Sequence, residues 1–252
     1  MLTLSSAVGR WRIGVVTFAA AALLAPTSQA TMLDLTAENA SGEINGAKFI
    51  QYTTPDPAGS GVLDSFLRIH ASGVEAGVNI LDPLEFDTQA GAFTQAVQIA
   101  DVPSVILDGV EYLEFLLDIN EPRSSERYLS LDALAIHVAD SGDVTGYPDS
   151  FAPPVYDLDA GGDNWIMLDR GLAPGSGGVD MIAFIPADLF GSDQAKYIYL
   201  YSRFGENEPA HGGYEEWAVG EGGKAVYAPE PATALLLCPL ACWFIRRRRS
   251  PA

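Results

Sequence analysis

Leu113-Glu114-Phe115-Leu116-Leu117-Asp118-Ile119-Asn120 alternates in steps of two. Leu113, Phe115, Leu117 and Ile119 fall on one side of an extended chain, and Glu114, Leu116, Asp118 and Asn120 on the other. That period predicts a strand with one face on a core and one toward solvent. Just upstream, Ser104-Val105-Ile106 and Asp108-Gly109 supply the other arm and the turn of a hairpin. A two-residue turn needs positive φ at both positions, which Asp-Gly and Asn-Gly tolerate best. Asn45-Gly46 repeats the signal between Glu43-Ile44 and Lys48-Phe49-Ile50.

Farther out, Leu63, Ser65, Leu67, Ile69 and Ala71 alternate with Asp64, Phe66, Arg68 and His70. Residues 93–99, 129–138, 165–168, 181–185, 197–204 and 215–219 read as further strands. The apolar face switches within 129–138, which implies a bulge or a short helical turn. Residues 186–190 suit one helical turn, with Pro186 near its start. About nine to twelve short strands between Gly, Pro, Asp and Asn turns predict an all-β domain, an antiparallel β-sandwich or jelly roll. A helical segment is expected only at each end, one an N-terminal signal helix and the other a short C-terminal hydrophobic helix.

Charge divides the 252 residues in the same places. Residues 31–228 carry 8 Lys and Arg against 32 Asp and Glu, a net of −24, whereas the ends carry 6 Arg against Glu230 alone. A domain so acidic repels phosphate backbones and anionic lipid, which argues against nucleic-acid binding. Both cysteines, Cys238 and Cys242, lie in the C-terminal apolar run, so no disulfide can staple the acidic middle.

The N-terminus has the parts of a secretory signal: Arg10 and Arg12, an apolar stretch over 13–24, and Ser28-Gln29-Ala30 with small residues where a signal peptidase reads. Residues 1–30 are therefore expected to be removed after Ala30 by the secretion machinery. At the other end, Pro229-Glu230-Pro231 precedes an apolar run over 232–245 and then Arg246-Arg247-Arg248-Arg249. As a helix that run rises about 21 Å, short of a hydrocarbon core of about 30 Å. It makes a poor permanent anchor and a transient one, with the arginines on the cytoplasmic side and the acidic domain outside.

These three parts in this order resemble the PEP-CTERM sorting signal. The resemblance covers residues 229–252 and implies recognition by an exosortase, cleavage near Pro229-Glu230-Pro231, and delivery to the envelope, the cell surface or the extracellular matrix of an exopolysaccharide-producing Gram-negative bacterium. Stretches 62–77, 112–121, 156–166, 197–206 and 215–219 are also similar to an ectodomain that accompanies such tails, a group for which the resemblance implies architecture and no activity.

Within residues 31–228, Asp157, Asp159 and Asp163 alternate around a Gly turn and offer oxygens to calcium, the one cofactor the sequence suggests. The competing reading is a loop whose Asp and Asn side chains turn on their own backbone. Tyr197, Tyr199 and Tyr201 share one strand face, opposite Ile198, Leu200 and Phe204. They read as a stacking platform for a glycan such as exopolysaccharide, or as sheet packing. Trp165, Trp217 and Tyr214 pose the same alternative. His70, His137 and His211 show no metal-ligand spacing, and nothing near Gly175-Ser176-Gly177 nominates a base for Ser176. Asp118 and Glu121, and Glu215 beside Glu216, are expected at solvated strand edges. The expectation is a non-enzymatic surface or matrix module. A calcium-dependent carbohydrate-binding domain and a secreted glycan hydrolase or lyase are its alternatives.

Overall fold

The computed structural model describes residues 30–53, 63–122, 125–172, 178–220 and 224–227. The predicted terminal helices, with Ser28, Pro229, Glu230, Pro231, Arg246, Arg247, Arg248 and Arg249, lie outside them. So does Ser176.

The chain is all-β. Its strands are β1 (Met32–Asp34), β2 (Ser41–Ile44), β3 (Ala47–Gln51), β4 (Leu63–Ile69), β5 (Glu75–Val78), β6 (Val97–Gln98) and β7 (Ser104–Leu107). They continue as β8 (Val110–Ile119), β9 (Tyr128–Ala139), β10 (Tyr156–Asp157), β11 (Trp165–Asp169), β12 (Met181–Pro186), β13 (Tyr197–Phe204) and β14 (Glu215–Gly220). The first sheet runs β1-β11-β9-β13-β5, with β10 on β9 and β6 on β13. The second runs β2-β3-β12-β8-β14-β4, with β7 on β8. Only β1 with β11 is a parallel pair among the described strands.

Both predicted hairpins form. Ile44 faces Ala47 across Asn45 and Gly46, at φ 51° and 84°. Leu107 faces Val110 across Asp108 and Gly109, at φ 53° and 85°. The expected bulge in β9 falls at Asp132, where the register against β13 slips between Arg203 and Phe204. The predicted helical turn is a 3-10 turn over Ala187–Phe190. Of the strand expected at 93–99, only β6 pairs, and a second 3-10 turn, Ile99–Asp101, follows it.

The two sheets share one apolar core. Phe49, Leu67, Phe115, Leu117 and Trp217 of the second meet Leu129, Leu131, Ile136, Ile166, Leu200 and Phe204 of the first. Each such side chain contributes about 1.5–3 kcal/mol relative to exposure, which offsets the absence of a disulfide.

The outer faces depart from the expected exposure. On β4, Phe66 joins Leu67 and Ile69 in the core, because the register with β14 slips between Trp217 and Ala218 and leaves Phe66 as the extra residue. On β8, Glu114, Leu116 and Asp118 are buried rather than solvated. Leu116 belongs to a second small core with Val105, Tyr112, Ile182 and Phe184, covered in part by Val226 and Tyr227. Glu121 and Glu215 are buried too, contrary to their expected place at solvated edges.

Candidate functional surface

β13 carries its tyrosines as the alternation requires, with Ile198, Leu200 and Phe204 in the core and Tyr197, Tyr199 and Tyr201 on the outer side. That outer side is not open. The β9–β10 connection, residues 140–155, crosses it and builds a third small core on Val78, Ile80 and Tyr199. The Tyr199 hydroxyl donates to the Ser141 carbonyl at 3.0 Å and accepts the Val144 N–H at 2.9 Å. Phe151 meets the Tyr199 ring at 4.9 Å, and Tyr147 stacks on Tyr201 at 4.7 Å. A Cβ at Gly142 would sit 2.7 Å from Tyr197 Cε1, so that glycine lets the connection lie flat on the ring. Burial pushes the Tyr199 and Tyr201 hydroxyls up in pKa, and Tyr147 up to about 12. Glu85 fixes the connection from outside by accepting the N–H groups of Gly146 and Tyr147 at 2.6 and 2.9 Å. The stripe thus serves sheet packing along most of its length. Phe86, edge-on to Tyr147 and Tyr201, is its exposed margin.

The aspartate loop is held by its own backbone. Asp157 accepts the Asp159 N–H and Asp159 accepts the Asn164 N–H, both at 2.9 Å, while Asp163 is exposed. Asn45 at the β2–β3 turn donates to the carbonyls of Asp157 and Leu158, which seats the loop on that hairpin. Burial raises the Asp159 pKa, and the Asn164 amide opposes it. Among the described residues, no three His, Cys, Asp or Glu side chains gather in a way that would hold a metal ion.

A different cluster presents rings to solvent. On the outer side of β4, the Arg68 guanidinium lies 3.2 Å from the Phe93 ring centroid and 5.0 Å from that of Tyr214. Tyr214 stacks on His70 at 4.4 Å, and His70 Nδ1 lies 2.6 Å from the Gly213 carbonyl. Glu216 on the neighbouring β14 pairs with Arg68. Phe93 is 41% and Tyr214 43% exposed, so this ladder is an amphipathic edge with ring surface, donors and a carboxylate together. Of these residues the sequence reading weighed only Tyr214 as a ligand contact. The usable signal was Arg68 and His70 alternating on the outward side of the β4 run.

The end of the described chain is also fixed. Glu114, fully buried, accepts the N–H groups of Val226 and Tyr227 at 2.5 and 2.9 Å. Tyr227 sets its ring edge-on to Phe184 at 5.3 Å. Burial raises the Glu114 pKa, and the two amides pull it back. A Cβ at Gly220 would lie 1.7 Å from the Lys224 carbonyl oxygen, so only glycine admits this return of the chain. At the opposite end, Thr31 donates its N–H to Asn164 Oδ1 at 2.9 Å and accepts the Trp165 N–H at 3.1 Å.

Comparison with protein-family models, with curated proteins and with solved structures returns no match.

Proposed function

We propose that this chain is an exported cell-surface or extracellular-matrix protein whose two sheets form a β-sandwich ectodomain. Signal peptidase cuts after Ala30, and an exosortase-type system reads Pro229-Glu230-Pro231 with the short apolar helix and Arg246 to Arg249. The ectodomain is structural or adhesive rather than enzymatic and associates with exopolysaccharide. The observation that carries this reading is the order of Pro229-Glu230-Pro231, the apolar run and Arg246 to Arg249, and residues just inside both expected cuts are bonded to the body. Thr31, the first residue after the expected cut, is hydrogen-bonded into the β11 edge, and Tyr227, two residues before Pro229, is bonded to Glu114 in the body. Removing both terminal segments would leave every one of these contacts in place. Intact-mass measurement on protein from the native host is expected to give a chain that starts at Thr31 and lacks the arginine cluster. A mass that retains Arg246 to Ala252 removes the sorting assignment.

For the glycan, the exposed ladder supports the association better than the tyrosine stripe does, because its rings reach solvent. At a net charge of −24 the domain favours a neutral polymer over an acidic one. Tyr214→Ala is expected to shorten retention of the full-length protein on a gel bearing the host polysaccharide several-fold, with Tyr201→Ala having a smaller effect. Equal retention of Tyr214→Ala and the parent would dismiss the ladder as the contact.

A further inference from the structure

Where β4 turns into β5, the chain crosses from the second sheet to the first, and three carboxyl groups are buried at that crossing. Glu75 opens β5, Glu215 opens β14, and Glu121 follows β8; they are 1%, 0% and 3% exposed. Glu121 is satisfied, because both of its oxygens accept the His211 N–H, at 3.0 and 2.9 Å. Glu75 is half satisfied, since its Oε2 accepts the Ala71 N–H. Glu75 Oε1 and both oxygens of Glu215 receive no N–H or O–H donor from any other residue, and only Glu215's own N–H acts on its carboxyl. Glu75, on the other sheet, is the neighbour whose carboxyl acts on Glu215 by hydrogen bond and charge.

The crossing is sealed by backbone. Gly73 and Ala210 exchange N–H···O bonds at 2.8 and 2.9 Å. A Cβ at Gly205 would lie 1.9 Å from the Gly73 carbonyl oxygen, and one at Gly213 would lie 2.6 Å from the Asn120 carbonyl oxygen. Such closeness leaves the pair little room to separate, and two facing carboxylates in so dry a place repel strongly.

We propose that Glu75 and Glu215 form a proton-dependent clip between the two sheets, one carboxyl donating its proton to the other carboxylate, and that loss of this proton loosens the crossing. The charged groups facing Glu215 are Glu75 from β5 and Glu121 from the segment after β8, with His211 and Glu126 acting in turn on Glu121. Burial first, then the bond and charge of Glu75, hold the Glu215 proton well above the ordinary value of 4.5. A raised folded-state pKa fixes the sign. The clip's contribution is complete below the ordinary glutamate value and is lost as pH climbs through the raised one.

Trp217 reports on the clip. It lies two residues along β14, is fully buried, and donates its Nε1–H across the sheets to Ser202 Oγ at 3.0 Å. Thermal melting of the full-length protein in mild detergent, followed by tryptophan emission from about pH 4 to pH 9, is expected to show a midpoint that falls by roughly 4 °C or more. General repulsion among the acids contributes to that fall, and the variants isolate the pair. In Glu215→Gln the amide donates to Glu75 without needing a proton, so the fall becomes shallower; Glu75→Gln makes the same change from the other sheet. Curves for both variants parallel to the parent overturn the clip, and so does a parent midpoint that does not fall with pH. Calcium restoring the parent's midpoint at the alkaline end to its acid value also overturns it, because a cation rather than a proton would then join the pair.

Discussion

Glu114, itself out of water, holds the last described residues by accepting the N–H groups of Val226 and Tyr227. Glu114→Ala would leave both N–H groups without that acceptor beneath a covering segment, a loss of about 2 kcal/mol for a charge-assisted pair. Urea unfolding is expected to show this as a lower midpoint, and chymotrypsin to cut faster at Tyr227. Glu114→Gln, with one acceptor left, should fall between. A midpoint within error of the parent would mean that the segment is held by Tyr227 on Phe184 alone. Glu114 does not by itself mark the position as buried, since an acid alternating with core residues looks like a solvent-facing position. The clue was Leu116 on the same side, an apolar residue that requires a cover. Glu215 and Glu121 were misread for the same reason, because alternation assigns a side and cannot tell what lies over it.

Among the elements, the hairpins at Asn45-Gly46 and Asp108-Gly109 were legible because turn chemistry is settled by two adjacent residues. The bulges at Phe66 and Asp132 depend on the register of a partner strand far along the chain. At Asp132 a change of apolar face gave warning, and at Phe66 nothing did. The tyrosine stripe was placed on the correct side of β13, but its cover comes from residues 140–155, a connection whose path no periodicity encodes. Because Tyr199 anchors that cover, Tyr199→Ala is expected to cost about 3–5 kcal/mol in chemical denaturation, as for other large buried rings. Tyr199→Phe, which loses only the bonds to Ser141 and Val144, should cost about 1 kcal/mol. A loss below that figure for the alanine variant would show that the connection stands without the ring.

At the scale of the molecule, the all-β class was readable, since it follows from turn spacing. The pairing order was not. β1 lies beside β11, and β14 lies between β8 and β4, contacts that join residues from 96 to 157 positions apart. The parallel pair has a consequence for delivery. A chain threaded through a membrane amino end first would bring Met32 to Asp34 out with no neighbour to bond, and the neighbour, Trp165 to Asp169, would follow only after some 130 further residues. Under the proposed export route, such a topology would leave the leading strand unpaired until Trp165 to Asp169 had also passed, although the local hairpins could close sooner.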